Sequence, residues 1–181
     1  MEIKIIKDSN PIMRQKSLPV ALPLSDEDRG LLDAMLDYLI KSQDEEYAKK
    51  HKIRSGVGMA AIQTGVLKRM FVIYYPKNNK EVVKYQLVNP KIVEESAKKC
   101  ALEGGEGCLS VDKDHTGLSH RHYKIVVEAF DALQNKNIRI IARGYDAIVL
   151  QHEYDHLDGL FYYDRIDKMN PNGQLPNEEL I

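Results

Sequence analysis

Residues 151–159 place the strongest constraint on the fold of this chain, because they contain His-Glu-x-x-His. On a helix, this spacing puts His152 and His156 one turn apart on the same face and leaves the carboxylate of Glu153 free. Two such imidazoles can bind one metal ion, and the carboxylate can act on a bound water. The segment indicates a metal-dependent hydrolase. Taken alone, it also fits a helix with two ordinary hydrogen-bonded histidines.

Cys108 supplies a candidate third ligand. The chain has two cysteines, Cys100 and Cys108, too few for a disulfide scaffold. Two imidazoles and one thiolate leave a tetrahedral ion one position for water, which indicates catalysis, whereas a structural site takes a fourth protein ligand. Cys100 fits an inert thiol in a strand. A disulfide between the two cysteines would remove the third ligand, so we expect oxidation to inactivate the site.

Length and composition favour one domain. The chain has 181 residues, of which 43% are apolar and 29% charged, enough for a substantial core and a polar surface. The net charge of −1 argues against broad nucleic-acid binding. Residues 1–8 lack the apolar core of a signal peptide, and no apolar run approaches membrane-spanning length. We expect a single domain over residues 1–181, cytoplasmic, without membrane association or specific nucleic-acid binding.

Hydrophobic periodicity predicts two helices. Ser25 reads as an N-cap before acidic residues, and an apolar stripe at spacings of three and four then predicts a helix running to about Lys49. A second helical pattern begins after Gly144, and Asp158-Gly159 is placed to end it.

The rest of the chain reads as strands and turns. Strands rich in β-branched residues are predicted at 70–75, 81–88, 91–95, 98–103, 124–131 and 138–142. A polar turn is expected at 76–80, Asn89-Pro90 reads as a break, and the tail 169–181 reads as irregular. An α+β fold follows, with the metal-bearing helix packed on antiparallel sheet.

Three segments of the chain resemble, in order and spacing, the signature motifs of the peptide deformylases. They are Gly-Val-Gly-Met-Ala-Ala-Ile-Gln at 56–63, Glu-Gly-Cys-Leu-Ser at 106–110 and Gln-His-Glu-Tyr-Asp-His-Leu-Asp-Gly at 151–159. Ile62 and His120 depart from the family, where proline is frequent. Residues 18–55 resemble the insertion of the type 2 deformylases of Gram-positive bacteria. The resemblance implies a deformylase fold, with antiparallel sheets around a central metal-bearing helix.

The resemblance also implies a reaction. The family removes the N-formyl group from the N-terminal methionine of newly synthesised polypeptides and releases formate. With Cys108, His152 and His156 as metal ligands, a metal-bound hydroxide attacks the formyl carbon, and Glu153 acts as general base and then as general acid. The side-chain amide of Gln63 and the backbone N–H of Leu109 are the family's donors to the developing oxyanion.

A peptide substrate is expected to lie as an added strand along the backbone of Val57 and Gly107, where Gly58 allows close approach. An unbranched methionine side chain needs a narrow apolar slot. The residues that would face it, one or two turns before His152, are Tyr145, Ile148 and Val149; plain core packing is the alternative for all three.

Other polar residues leave alternatives open. Arg121 matches a recurrent arginine of the family and is a candidate contact for a substrate carboxylate or backbone, although a surface ion pair is the more common role. Glu106 and Asp155 are both candidates to orient the ligand imidazoles. The remaining histidines read as surface residues: His51, His115, His120 and His122.

The ligand set does not choose the metal. General ligand rules favour zinc, whereas the resemblance implies one divalent ion, natively Fe²⁺, with Ni²⁺, Co²⁺ or Zn²⁺ in purified protein. The implied partners are N-formylmethionyl nascent peptides, with transient contact to the ribosome.

Two other hypotheses remain. A metalloprotease of the His-Glu-x-x-His kind would share the helix but normally takes a third His or Glu ligand. A structural metal module that binds the ribosome or RNA would have four protein ligands and no turnover.

Overall fold

Two β-sheets and three α-helices form the part of the chain that the structure describes. The computed structural model describes residues 2–78 and 80–181; the turn expected at 76–80 therefore includes one residue, Asn79, outside the described residues. The helices are α1 (Asp26–Ser42), α2 (Glu45–His51) and α3 (Tyr145–Leu157), with 3₁₀ turns at Pro11–Arg14, Ala61–Thr64 and Tyr162–Arg165. The strands are β1 (Gly58–Ala60), β2 (Met70–Asn78), β3 (Glu81–Glu95), β4 (Lys99–Ala101), β5 (Arg121–His122), β6 (Lys124–Asp131), β7 (Lys136–Arg143) and β8 (Glu179–Leu180).

The larger sheet has the strand order β1-β2-β3-β6-β7, and all its neighbours are antiparallel. Alternation along β2 sends Phe71 and Ile73 into a core cluster shared with α3, and Met70 and Val72 into a second cluster shared with α1. The sheet is therefore buried between α1 and α3. The smaller sheet has the order β5-β4-β8. The α+β architecture with mainly antiparallel strands is confirmed.

The first predicted helix is divided into two. α1 begins after Ser25, whose side chain accepts a hydrogen bond from the Asp28 N–H, as expected of an N-cap. It ends at Ser42 and does not continue to Lys49, because the Asp44 side chain caps a new helix, α2. No residue of α2 is buried. Most of the predicted apolar stripe is buried: Leu31, Leu32, Met35, Leu36 and Leu39. Ile40, also expected in the stripe, is 38% exposed.

The expected break at Asn89-Pro90 is wrong. β3 runs through it as one strand, and the pairing with β6 shifts register between Val88 and Lys91. Asn89 has φ of +50°, a left-handed conformation that asparagine tolerates, and its side chain bonds both backbone groups of Val20 at 2.8 Å. A β-bulge at this position absorbs the irregularity without ending the strand.

The tail is not wholly irregular. Glu179–Leu180 form β8, which pairs in parallel with β4. The strand expected at 98–103 is correspondingly shorter, at Lys99–Ala101. A strand of two residues is too short to show an alternating apolar pattern, so the sequence does not predict it. It forms because β4 offers an edge with which it can pair. Among the described residues, no helix combines the length and apolar character needed to cross a membrane.

Candidate metal centre and active site

α3 carries the three side chains of the His-Glu-x-x-His segment. The rings of His152 and His156 have centroids 5.0 Å apart, as expected for residues separated by one helical turn. His156 is 0% exposed and Glu153 3% exposed. The helix ends at Leu157, and Gly159 follows with φ of +74°, in agreement with the predicted helix end.

Cys108 lies next to the two histidines. It belongs to the segment 102–120, which the structure describes in full and which contains no helix or strand. Its Sγ lies 3.3 Å from Nε2 of His156, and ligand atoms of Cys108, His152 and His156 all lie within 4.8 Å of one another. Beside them, Oε2 of Glu153 is buried with no hydrogen-bond partner among the described residues. A thiolate, two imidazoles and an unpartnered carboxylate oxygen fit a divalent metal ion with a reactive water next to it.

Glu106 orients the ring of His152. Its Oε1 lies 2.8 Å from Nδ1 of His152, so the other ring nitrogen is left to bind metal. Arg121 in turn donates to both oxygens of Glu106, at 2.6 and 2.9 Å. Of the two carboxylates that the sequence left open, Glu106 is therefore the one that holds a ligand imidazole.

Arg121 lies in the interior, which corrects both interpretations of it. Its side chain is buried, with the residue 1% exposed, and it donates to Asp155 at 3.0 Å as well as to Glu106. Arg165 also donates to Asp155, at 2.5 and 2.6 Å. Neither a substrate contact nor a surface ion pair is compatible with this position. Two buried carboxylates compensate the guanidinium charge, which allows its burial.

The pKa values of the two glutamates shift in opposite directions. Burial acts to raise the pKa of Glu106, but the charge of Arg121 and the hydrogen bond from His152 outweigh burial and lower the pKa to about 2. Burial raises the pKa of Glu153 to about 7, against the opposing charges of His152 and Arg121. Glu106 is therefore a permanent anion, whereas Glu153 can accept and release a proton near neutral pH.

The amide of Gln63 is fixed by three contacts. Its Oε1 accepts a hydrogen bond from the Ala60 N–H at 2.9 Å, and its Nε2 donates to Oγ of Ser110 at 3.0 Å. The same nitrogen lies 3.7 Å from Sγ of Cys108. Gln63 is 1% exposed, so it is not a surface amide. One N–H of Nε2 is directed at Ser110, and the nitrogen also lies near the sulfur of the candidate ligand Cys108, beside the position where an oxyanion donor is expected.

A cavity of about 180 Å³ opens beside these groups. Its lining includes all but one of the residues predicted to bind substrate: Val57, Gly58, Gly107, Tyr145, Ile148 and Val149. Gln63, Cys108, His152 and Glu153 also line it. Leu102 lines the cavity but was absent from the predicted set. Its signal in the sequence is weak: an apolar residue before Gly104-Gly105, just upstream of the cysteine motif.

Gly58 is required by the packing of the Glu153 carboxylate. A Cβ built on Gly58 would lie 2.3 Å from Oε1 of Glu153, which is far inside contact distance. The neighbouring backbone is held from the end of α1, because the amide of Gln43 donates to the carbonyls of Gly56 and Tyr74 at 2.9 and 2.7 Å. Gln43, in the segment that resembles the deformylase insertion, therefore helps to hold the backbone next to β1.

The remaining predicted residues lie outside the cavity lining. The side chain of Leu109 packs in the α1 cluster, and its carbonyl accepts from Nζ of Lys7 at 3.0 Å; the role of its N–H stays a prediction. Two of the four other histidines are partly buried, so their assignment to the surface is wrong. Nδ1 of His120 lies 2.7 Å from Glu178, and Nδ1 of His122 lies 2.6 Å from the Ser96 carbonyl. Those that are exposed are His51 and His115.

Three protein ligands and a buried carboxylate that can exchange a proton define a metal-dependent hydrolase. Comparisons with known proteins then identify which one. A family model described as "Polypeptide deformylase" matches residues 3–172. The chain belongs to the polypeptide deformylase family, whose members remove the N-formyl group from nascent peptides.

Individual relatives agree along nearly the whole chain. The peptide deformylase of Staphylococcus epidermidis is 45% identical over 178 residues, which cover 98% of this chain and 96% of that protein. The peptide deformylase of Macrococcus caseolyticus is 47% identical over 168 residues, 92% of this chain and 91% of that protein. Both are Gram-positive bacteria, as the resemblance predicted.

Solved structures share the fold. The peptide deformylase of Thermus thermophilus superposes with a TM-score of 0.74 at 29% identity, covering 94% of this chain and 89% of that one. A class I type b peptide deformylase from Acinetobacter baumannii with Met-Ala-Ser bound superposes with a TM-score of 0.72 at 29% identity, covering 92% and 99%.

Proposed function

We propose that this chain is a metal-dependent deformylase that hydrolyses the N-formyl group of N-formylmethionyl peptides, giving formate and a free amino terminus. The observation that carries this proposal is the arrangement of Cys108, His152 and His156 around one point, with the unpartnered oxygen of Glu153 facing the same cavity.

The metal would be held by the thiolate and the two imidazoles. When bound, a divalent ion supplies an activated water and polarises the formyl carbonyl. These ligands suit several first-row metals, and the resemblance to deformylases favours Fe²⁺ natively. Anaerobic purification followed by metal analysis tests that choice.

Glu153 moves the proton. Its pKa of about 7 suits a group that takes a proton from the attacking water and returns it to the departing nitrogen. Protonation of that nitrogen matters because an amine anion is a very poor leaving group. Gly58, which has no side chain to displace the carboxylate, keeps Glu153 in position.

Gln63 and Leu109 stabilise the charge that develops on the formyl oxygen. The amide of Gln63 is held by Ala60 and Ser110, so its second N–H, on the side of Cys108, needs no large reorientation to donate to the oxyanion. Preorganised donors of this kind each typically lower the barrier by about 3–4 kcal/mol. The backbone N–H of Leu109 is the second proposed donor.

The peptide binds through backbone groups of Val57 and Gly107, and the methionine side chain enters the slot formed by Tyr145, Ile148 and Val149. The cavity lining supports this assignment. The Met-Ala-Ser peptide bound to the Acinetobacter baumannii relative also supports a substrate that begins with methionine.

The proposed setting follows from the reaction. The partners are nascent peptides in the cytoplasm, reached through transient contact with the ribosome. Residues 1–181 act as one domain, in which 18–55 is an insertion. A protease is not favoured, because the third clustered ligand is a cysteine.

Glu153→Ala tests the function. We expect the variant to keep its fold and its bound metal but to lose roughly 10²–10⁴-fold in formate release, because a general base is removed. Glu46→Ala, at an exposed position on α2, is the matched control and should retain full activity.

Formylated, acetylated and internal peptides of matched sequence are assayed together with metal content. Preference of the unsubstituted chain for either control peptide contradicts the proposed function. Loss of metal from Glu153→Ala with intact turnover contradicts the role of Glu153.

A further inference from the structure

Residues 178–181 lie beside one wall of the cavity, where β8 pairs in parallel with β4. The pairing continues one residue beyond both strands. The Ile181 N–H donates to the Ala101 carbonyl at 2.9 Å, and the Glu103 N–H donates to the Ile181 carbonyl at 3.1 Å. In a parallel ladder, two bonds of this kind flank one residue of the partner strand. That residue is Leu102, which lines the cavity.

The segment is anchored independently of this ladder. The buried carboxylate of Glu178 lies 2.7 Å from Nδ1 of His120 and accepts from the Leu175 N–H at 3.0 Å. Glu179 forms an ion pair with Lys98. Because the Glu178 carboxylate is buried, its contacts with His120 and Leu175 fix the segment more firmly than exposed contacts would.

Two contacts connect the segment to the chemistry of the site. The Leu102 carbonyl accepts from the Gly105 N–H at 3.0 Å, in the turn that leads to Glu106. On the other side, Cδ1 of Ile181 lies 3.6 Å from the Cβ position of Gly144, the residue before α3. Ile181 therefore contacts both the segment that carries Leu102 and the residue before α3, the helix that carries the predicted slot residues.

We propose that residues 178–181, named here the closing strand, determine how wide the methionine slot is by holding Leu102 at a fixed depth. The closing strand is a positioning segment, since it acts through Leu102. This inference rests on the proposed function and extends it to substrate selection. The match to the family model ends at residue 172, before the closing strand begins.

Ile181→Pro and Ile181→Ala form a matched pair for the test. Both remove the isoleucine side chain, but only proline removes the N–H that bonds Ala101. The full chain, loaded with its metal, is assayed on formylated tripeptides whose first residue is methionine or phenylalanine. Bound metal, melting temperature and hydrogen exchange of the Glu103 amide are measured on the same preparations.

We expect Ile181→Pro to raise KM for the methionine peptide about tenfold with kcat nearly unchanged, and to reduce its discrimination against phenylalanine about tenfold. The Glu103 amide should exchange faster, while metal content stays equal. Ile181→Ala should show about twofold effects or less.

The proposal is overturned if Ile181→Pro discriminates between the methionine and phenylalanine peptides as well as the parent does. This holds both when kcat and metal content fall together and when neither changes. Equal effects of the two substitutions also overturn it. If the unsubstituted chain releases no formate, the proposed function has failed, which is a separate result.

Discussion

The contact between Gly58 and Glu153, the proposed general base, leaves no space for a side chain at residue 58. We predict that Gly58→Ala lowers kcat by roughly 10²-fold or more, because the new methyl group displaces a general base that must be placed to within about 1 Å. The added Cβ would stand 2.3 Å from Oε1, so Glu153 must move. Steady-state formate release and metal content are measured together.

Gly104→Ala is the control for this substitution, since a Cβ at Gly104 meets no atom within 4 Å. It should retain activity. Normal kcat in Gly58→Ala would mean that the position of Glu153 is not critical for the reaction.

The buried thiol of Cys100 should make the free energy of unfolding decrease at alkaline pH. Burial raises the pKa of its thiol to about 11, and the charge of Glu178 adds to this. Above about pH 9 the unfolded chain loses a thiol proton that the folded chain keeps, so the free energy of unfolding falls as pH rises toward 11, by at most about 1.4 kcal/mol per pH unit.

Urea unfolding of the parent and Cys100→Ala at pH 8, 9 and 10 checks this. The difference in their unfolding free energies should shrink as pH rises, because the alanine variant has no such proton to lose. A constant difference across this pH range contradicts the prediction.

At the residue scale, the clustering of the three candidate metal ligands was predictable. Helical spacing alone brings His152 and His156 together, and a thiolate is a natural third ligand. Arg121 was not predictable. Its burial depends on Glu106 and Asp155, which approach it only after the loop and α3 have packed, and sequence patterns favour exposure of a lone arginine.

α1 contains a glycine, Gly30, whose replacement should stabilise the helix. Gly30 is exposed in the second turn of the helix, and a Cβ there meets no atom within 4 Å. We predict that Gly30→Ala stabilises the protein by about 0.5–1 kcal/mol, because alanine loses less conformational entropy in a helix. Gly65→Ala is the opposite control: Gly65 has φ of +87°, so alanine there should destabilise. Thermal unfolding compares both with the parent, and a lower melting temperature for Gly30→Ala contradicts the argument.

Elements with strong local patterns were predicted well, and those decided by partners were not. α3, β6 and β7 followed from periodicity and end signals, whereas β2 runs to Asn78, into the turn expected at 76–80. The boundary between α1 and α2 depended on whether Asp44 would cap a new helix. β3 continued past Asn89-Pro90 because the Asn89 side chain is fixed by Val20, a contact between distant segments.

For the whole molecule, the metal should act as a crosslink between the segment 102–120 and α3. A ligand present at a hundred times its Kd stabilises the native state by about 2.7 kcal/mol. We predict that removing the ion with a chelator lowers the melting temperature by roughly 5–10 °C. Cys108→Ala should bind the ion weakly and should melt at the same temperature with or without chelator.

Differential scanning calorimetry before dialysis, after dialysis and after re-addition of metal makes this comparison. An unchanged melting temperature on metal removal would mean that the segment carrying Cys108 is held by its other contacts alone.

α2 has a practical consequence at this scale. No residue of the helix is buried, so α2 adds no side chain to the hydrophobic core. Chemical attachment there should therefore leave the packing of the core intact. A fluorophore or a surface tether joined at Glu46 would let turnover be followed on single immobilised molecules.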